Sequence, residues 1–217
     1  MKREIIILMA STKGKYFHIA GLDRNSDSWV RVHSRYPNAR GSIPLGRLIY
    51  RDYTPVRLFD VAEIKFDEAD DCFEQPERLF CDASQPWRLI EHITFLDVIN
   101  LHGFDRRKFI FSNQERYVLP NELSAVDNRE SLLLLRVCDL NVKVQQRGRD
   151  KHIFLNFNHE GNKYSGFSIG DLRLQNCYKA RAPGVHHFAD EAAVVFSLSE
   201  KYNDRYYKSA AQILRWR

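Results

Sequence analysis

Residues 4–33 read EIIILMASTKGKYFHIAGLDRNSDSWVRVH. Glu4 to Ala10 is a short, Ile-rich apolar run, suited to a strand buried on both faces. Ser11-Thr12-Lys13-Gly14-Lys15 interrupts it with turn chemistry, because Gly14 supplies a free φ and Ser and Thr bond locally. Tyr16 to Leu22 alternates aromatic and aliphatic residues. Asp23 to Ser28 is a second polar turn. Trp29-Val30-Arg31-Val32-His33 then alternates strictly, with Trp29 and Arg31 on one face and Val30 and Val32 on the other. Three consecutive strands with short connections predict a meander.

The remainder extends this pattern. Leu58 to Phe66 reads as a strand, and the acidic stretch Asp67 to Asp82, with Pro76 inside it, as a surface loop. Pro86 to Leu101 is the expected helix, with Pro86 in the first turn, Leu89, Ile93, Leu96 and Ile99 near helical spacing, and Gly103 closing it. Residues 104–130 are irregular and charged, as a junction would be. Ser131 to Gln146 reads as a long strand. Ile153 to Phe157 and Tyr164 to Phe167 flank His159-Glu160-Gly161-Asn162, a hairpin signal. A short helix or turn near Gly170-Asp171-Leu172 precedes strands at Ala192 to Leu198 and Tyr206 to Leu214. Each half offers about five strands and one helix or irregular crossover, the inventory of an OB-fold, a small Greek-key barrel. At 217 residues the chain has room for one to two domains. The expectation is a mainly β protein with minor α: two small OB-like Greek-key β-barrels in tandem. The first would occupy 1–125 with a helical or irregular extension, the second 126–217. A single mixed α+β domain is the alternative.

Several segments resemble one family. They are the opening strand with Ser11-Thr12-Lys13 and Tyr16, the run Ala20-Gly21-Leu22-Asp23 with Trp29-Val30-Arg31, the apolar Ser131 to Leu135, and Phe196 to Tyr202 with Tyr206-Tyr207-Lys208. The chain is similar to bacterial dual OB-fold-containing proteins. That resemblance implies two OB-type barrels and a nucleic-acid role, with Lys13, Trp29, Arg31, Glu200, Tyr202 and Lys208 at the motif positions. Ser199 stands where the family form usually has Gly, and Ser209 where it has an aliphatic residue.

Charge points to an anionic partner. The net charge is +5. Residues 1–60 carry +6, residues 61–100 carry −7, and residues 131–217 carry +6. Nucleic-acid binding on an OB-type surface needs cations for phosphates and aromatic faces for bases. The first basic segment supplies Lys13, Lys15, Arg31, Arg35, Arg40, Arg47, Arg51 and Arg57 among Tyr16, Trp29, Tyr36, Tyr50 and Tyr53. The last supplies Lys201, Arg205, Lys208, Arg215 and Arg217 among Tyr202, Tyr206, Tyr207 and Trp216. The expected contacts are Lys13, Tyr16, Trp29, Arg31, Arg35, Tyr202, Arg205 and Lys208. Packing of these aromatics inside a barrel, and pairing of the arginines with local carboxylates, is the structural alternative.

Other chemistries lack their residues. Ser11 to Lys15 misses the P-loop pattern, and a β run follows it instead of a helix. His186-His187 sits near Asp190 and Glu191, but adjacent strand residues point apart, so no metal site is expected. Asp67, Glu68, Asp70 and Asp71 read as a solvated loop. Cys72, Cys81, Cys138 and Cys177 form no C-x-x-C pair, so each reads as a structural, reduced thiol. The opening apolar run is too short for a secretory signal and has no small-residue cleavage site after it. No apolar run reaches the roughly 18 residues of a membrane span. The reading is a cytoplasmic protein with no cofactor, no evident catalytic centre and no membrane partner, binding single-stranded DNA or RNA. A protein-interaction or scaffold module in a bacterial defence or DNA-transaction system is the alternative. A nucleotide- or nucleic-acid-processing enzyme is third.

Overall fold

The computed structural model describes all residues except 14, 15, 37, 38, 40, 70–73, 83, 125–129 and 215–217; side chains at 13, 68, 69 and 124 are also outside the described set. Contacts gather into two compact units, Met1–Gly103 and Phe104–Arg217.

The first unit contains β1 (Lys2–Lys13), β2 (Tyr16–Asp23), β3 (Trp29–His33), β4 (Ile43–Pro44), β5 (Asp60–Ala69), β6 (Arg78–Cys81), β7 (Arg88–His92) and α1 (Phe95–Leu101). The predicted meander forms: β1 pairs antiparallel with β2, and β2 with β3. β6 then pairs parallel with β3 and antiparallel with β5, and β5 returns to pair with β1. The path β1-β2-β3-β6-β5-β1 is a closed five-stranded barrel. Ile5, Ile7, Ile19, Val30, Val32, Ile64 and Phe66 fill it. Ile6, Leu8 and Met9 are buried as well, so β1 is covered on both faces as its composition predicts.

Two expectations fail in this unit. The acidic stretch is not loop throughout, because Arg78–Cys81 forms the strand that closes the barrel; Leu79 and Cys81 point inward. The helix expected over 86–101 splits. Arg88–His92 pairs with β5 as a strand, and the helix starts only at Phe95. Thr94 decides that start. Its hydroxyl accepts from Asp97 N while the Asp97 carboxylate takes the Thr94 N–H, a reciprocal capping box. The β-branched Ile93-Thr94 pair disfavours helix upstream of it.

The second unit contains β8 (Tyr117–Val118), α2 (Pro120–Ser124), β9 (Leu132–Arg147), β10 (Asp150–His159), β11 (Asn162–Ile169), α3 (Leu172–Lys179), β12 (Gly184–Tyr202) and β13 (Arg205–Leu214). The predicted hairpin at Glu160-Gly161 forms, with both residues at positive φ, as a two-residue turn requires. β9 pairs with β10 and with β12, and β12 pairs with β13. β13 runs parallel to β11 and completes the ring β9-β10-β11-β13-β12-β9. Helix α3 sits between the third and fourth strands of that ring. Asp171 caps it by accepting from Arg173 N and Leu174 N.

Strand alternation builds this core. Leu133, Leu135 and Val137 of β9 face inward with Leu155 and Phe157 of β10. Phe157, Tyr164, Phe167 and Phe196 meet at centroid distances of 5.2 to 5.9 Å. Both rings share one strand order, with third and fifth strands parallel, so each unit is an OB-type barrel. No helix among the described residues is long and apolar enough to cross a membrane.

Candidate nucleic-acid interface

OB barrels bind oligonucleotides on the face of their second and third strands and on the loops joining strands one to two and four to five. In the second unit these are β10, β11 and the turns at Gly148 and Asn203-Asp204. Alternation along β10 turns Ile153, Leu155 and Phe157 into the core and Phe154 and Asn156 outward. Lys143 lies directly opposite Phe154 in the β9–β10 register, and Gln145 opposite His152. A recess of about 320 Å³ opens here, with Arg116, Lys143 and Arg147 around Phe154 and Asn156. All three cations are exposed. No carboxylate lines the recess, and none of the three is ion-paired among the described residues.

A bulge shapes this face. The β10–β11 register breaks between Leu155 and Phe157, and Gly166 N donates to Asn156 Oδ1 at 2.9 Å instead of to a ladder carbonyl. Gly166 has φ +75°, and a Cβ there would lie 3.4 Å from Arg116 Cδ and Nη1. The missing side chain therefore lets the Arg116 arm lie over β11.

The turn between β12 and β13 adds the aromatic component. Asn203 and Asp204 both have positive φ, so Tyr202 and Arg205 face each other across a tight hairpin. Tyr202 and Tyr207 rings lie 6.4 Å apart, Tyr207 and Tyr117 6.3 Å. The Arg205 guanidinium stands 4.2 Å over the Tyr117 ring. Tyr202 is 66% exposed. Tyr117 of this cluster directly follows Arg116 of the recess in the chain.

The expected contact residues are distributed across both units. Tyr202 and Arg205 are in the cluster just described. Lys208 is not exposed. Its Nζ donates to the carbonyl and the Oδ1 of Asn113, both at 2.7 Å, and burial lowers its pKa to about 7. In the first unit, Trp29 and Arg31 do share β3, but both are buried. Arg31 faces Glu77 at 3.7 Å, and the Trp29 ring sits edge-on to His102 at 6.2 Å. Neighbouring His33 is held neutral, its pKa lowered to about 3 by burial and then by Arg78, Arg31 and His18. Arg35 is exposed, its guanidinium 4.8 Å from the Phe80 ring. Tyr16 is half-buried opposite Pro44. Lys13 ends β1, and its side chain is not described. Lys15, Arg40, Asp70, Asp71, Cys72, Arg215, Trp216 and Arg217 lie outside the described residues.

Sequence reasoning missed Arg116, Lys143, Arg147 and Phe154. The signal was present as alternation along β9 and β10, but only the cross-strand register brings those positions together. His186 and His187 lie on β12, opposite Val142 and Asn141. Among the described residues no group of three metal-ligating side chains occurs.

No curated protein and no solved structure matches the chain. A model of the dual OB-containing domain matches residues 3–213, nearly the whole sequence. The two rings described above are what that description implies, and the chain belongs to the dual OB-containing domain family.

Proposed function

We propose that the second barrel binds single-stranded nucleic acid across the outer face of β9 to β11. Arg116, Lys143 and Arg147 take phosphates, Phe154 stacks a base, and the Tyr117–Tyr202–Tyr207 cluster with Arg205 extends the track. The observation that carries this reading is the group of three cations, unpaired among the described residues, around the outward Phe154 of β10, a strand of the face OB barrels use. Cations without local carboxylates retain their full attraction for phosphate, and an aromatic among them supplies a sequence-tolerant stacking surface. Lys208 and Arg31 are buried and take no phosphate in this proposal.

Binding of a fluorescent oligonucleotide across a salt series tests it. Each phosphate contact to a single strand contributes about 0.7 to the log–log salt slope. Lys143→Ala with Arg147→Ala is expected to flatten the slope by about 1.4. Phe154→Ala is expected to weaken binding by about 1–3 kcal/mol with the slope unchanged. Absence of binding at low salt, or affinity untouched by all three substitutions, refutes the proposal.

A further inference from the structure

The first barrel carries its own recess, of about 300 Å³, between the connection from β3 to β5 and the stretch after β6. Its floor is apolar and closed: Ile43, Tyr50, Cys81 and Trp87 line it and are all buried. Its rim is aromatic and cationic, with Tyr36, Tyr53, Arg47 and Arg51. We infer that this recess is a binding site for a phosphorylated nucleoside.

The charge balance comes first. Arg47 and Arg51 are exposed and have no carboxylate partner among the described residues. Among the described residues the one carboxylate in the lining, Asp82, is already engaged. It accepts from the Ser84 hydroxyl, from Lys65 Nζ at 2.9 Å and from the Ser84 backbone, which hold its pKa down to about 2. The Tyr50 hydroxyl donates to Asp60, and the Ser34 hydroxyl to the Ser42 carbonyl. Among the described residues of the lining, the groups left without a hydrogen-bond partner include the two guanidinia, with Arg47 lying 6.0 Å from the Tyr36 ring, the Gln85 amide and the hydroxyls of Tyr36 and Tyr53. Two guanidinia offer paired N–H donors to a dianionic phosphate monoester.

The aromatic part fits the other half of such a ligand. Tyr53 is 84% exposed, and the backbone that carries it is fixed in a turn. Its backbone has φ 65°, a strained value for a bulky side chain. A closed turn maintains it: Tyr53 N donates to Tyr50 O, Tyr50 N to Thr54 O, and the Asp52 carboxylate accepts from both the backbone and hydroxyl of Thr54. The Arg51 N–H donates to the Trp87 carbonyl and ties this turn to the opposite wall. A large ring held out at the mouth of a recess, with Tyr36 also on the rim, is a stacking surface for a planar base. The Gln85 amide can read a base edge, being both donor and acceptor. The volume lies at the small end of ligand sites, about 300–1,000 Å³, which suits one nucleotide and not two.

Titration calorimetry with AMP, GMP, CMP and UMP tests the assignment, with adenosine and inorganic phosphate as partial ligands. A tetranucleotide, with and without a 5′-phosphate, separates a free mononucleotide from the end of a strand. The expected result is saturable 1:1 binding of at least one mononucleotide, at least tenfold tighter than adenosine. Arg47→Ala with Arg51→Ala is expected to weaken it at least tenfold. Gly46→Phe is the second variant: Gly46 lines the recess and a Cβ there meets nothing within 4 Å, so a side chain has room at this position and the added ring is expected to block the site. Lys143→Ala with Arg147→Ala, in the other barrel, is expected to leave mononucleotide affinity unchanged, which keeps this site and the strand-binding face separately refutable. Binding of only the 5′-phosphorylated tetranucleotide, abolished by Gly46→Phe, supports the site and assigns the nucleotide to a strand end. Failure of all four mononucleotides and the phosphorylated tetranucleotide at millimolar concentration overturns the inference. So does binding that survives both the Gly46 and the arginine variants.

Discussion

Lys208 should make the stability of this protein climb with pH through a range where most proteins are flat. It is only 2% exposed, and its ammonium is held by two oxygens of Asn113. Burial lowers its pKa from 10.5 to about 7, against the opposing pull of Glu122 and Glu115. That depression corresponds to roughly 5 kcal/mol of disfavoured charge. The unfolded chain keeps the lysine protonated up to about 10.5, whereas the native state releases the proton near 7. Between those values the unfolded state binds more protons, so unfolding free energy rises with pH. The contribution is most unfavourable below pH 7 and is relieved towards pH 10.5. From pH 7 to pH 9 the gain is about 2 kcal/mol, allowing for partial protonation of the native state at pH 7. Lys208→Met removes the titrating group. It also leaves both Asn113 oxygens without the lysine donor, costing about 1–3 kcal/mol, but that cost is an offset with no pH slope. Urea denaturation of both proteins at pH 6, 7, 8 and 9 separates the two effects. The native protein should gain about 2 kcal/mol over the variant between pH 7 and 9. Parallel stability curves would refute the reasoning and place a charged, well-compensated ammonium at this position.

Gly21→Ala should be among the most damaging small substitutions in the first barrel. A Cβ at Gly21 would lie 1.9 Å from the Ile6 carbonyl oxygen, so β1 and β2 must separate; a loss of at least about 3 kcal/mol is expected by urea denaturation, against under about 0.5 for Gly46→Ala. Cys81 is buried and its thiol is pushed up to about 11, mainly by burial, whereas Cys177 is exposed. Maleimide labelling at pH 8 with peptide mapping should mark Cys177 and leave Cys81 untouched until urea is added; equal labelling of the folded protein would contradict this. Asp171→Ala removes both cap bonds of α3 and the acceptor for the Gln212 amide, so a loss of about 2 kcal/mol and reduced helical signal are expected.

Local chemistry was legible where neighbours in sequence decide the outcome. The three opening strands, the Glu160-Gly161 hairpin and the long strand after Ser131 follow from alternation, turn residues and apolar runs. Thr94 and Asp97 also carried a legible signal, since a capping box marks a helix start; helical spacing from Pro86 onward concealed it. Arg78–Cys81 was hidden for a different reason. Four residues inside an acidic stretch have no strand signature of their own, and they become a strand because β3 and β5 leave a gap that must be hydrogen-bonded. The contact residues show the same divide. Period-2 alternation on β13 turns Arg205 and Tyr207 outward and Tyr206 and Lys208 inward, so Lys208 could have been read as buried.

The sequence by itself determined the material: nine of the ten barrel strands, their faces, the basic and acidic segments and the family motifs spread along the chain. Only the tertiary structure decided which strands close each ring, because closure depends on parallel pairings, β3 with β6 and β11 with β13, between residues far apart in the chain. Register then set the candidate sites. Lys143 reaches Phe154, and Arg116 reaches Gly166, through cross-strand geometry that no local pattern encodes. Burial divided the cations in the same way. Arg31 and Lys208 were buried by packing, while Arg116, Lys143 and Arg147 stayed exposed to solvent, where an anionic partner can meet them.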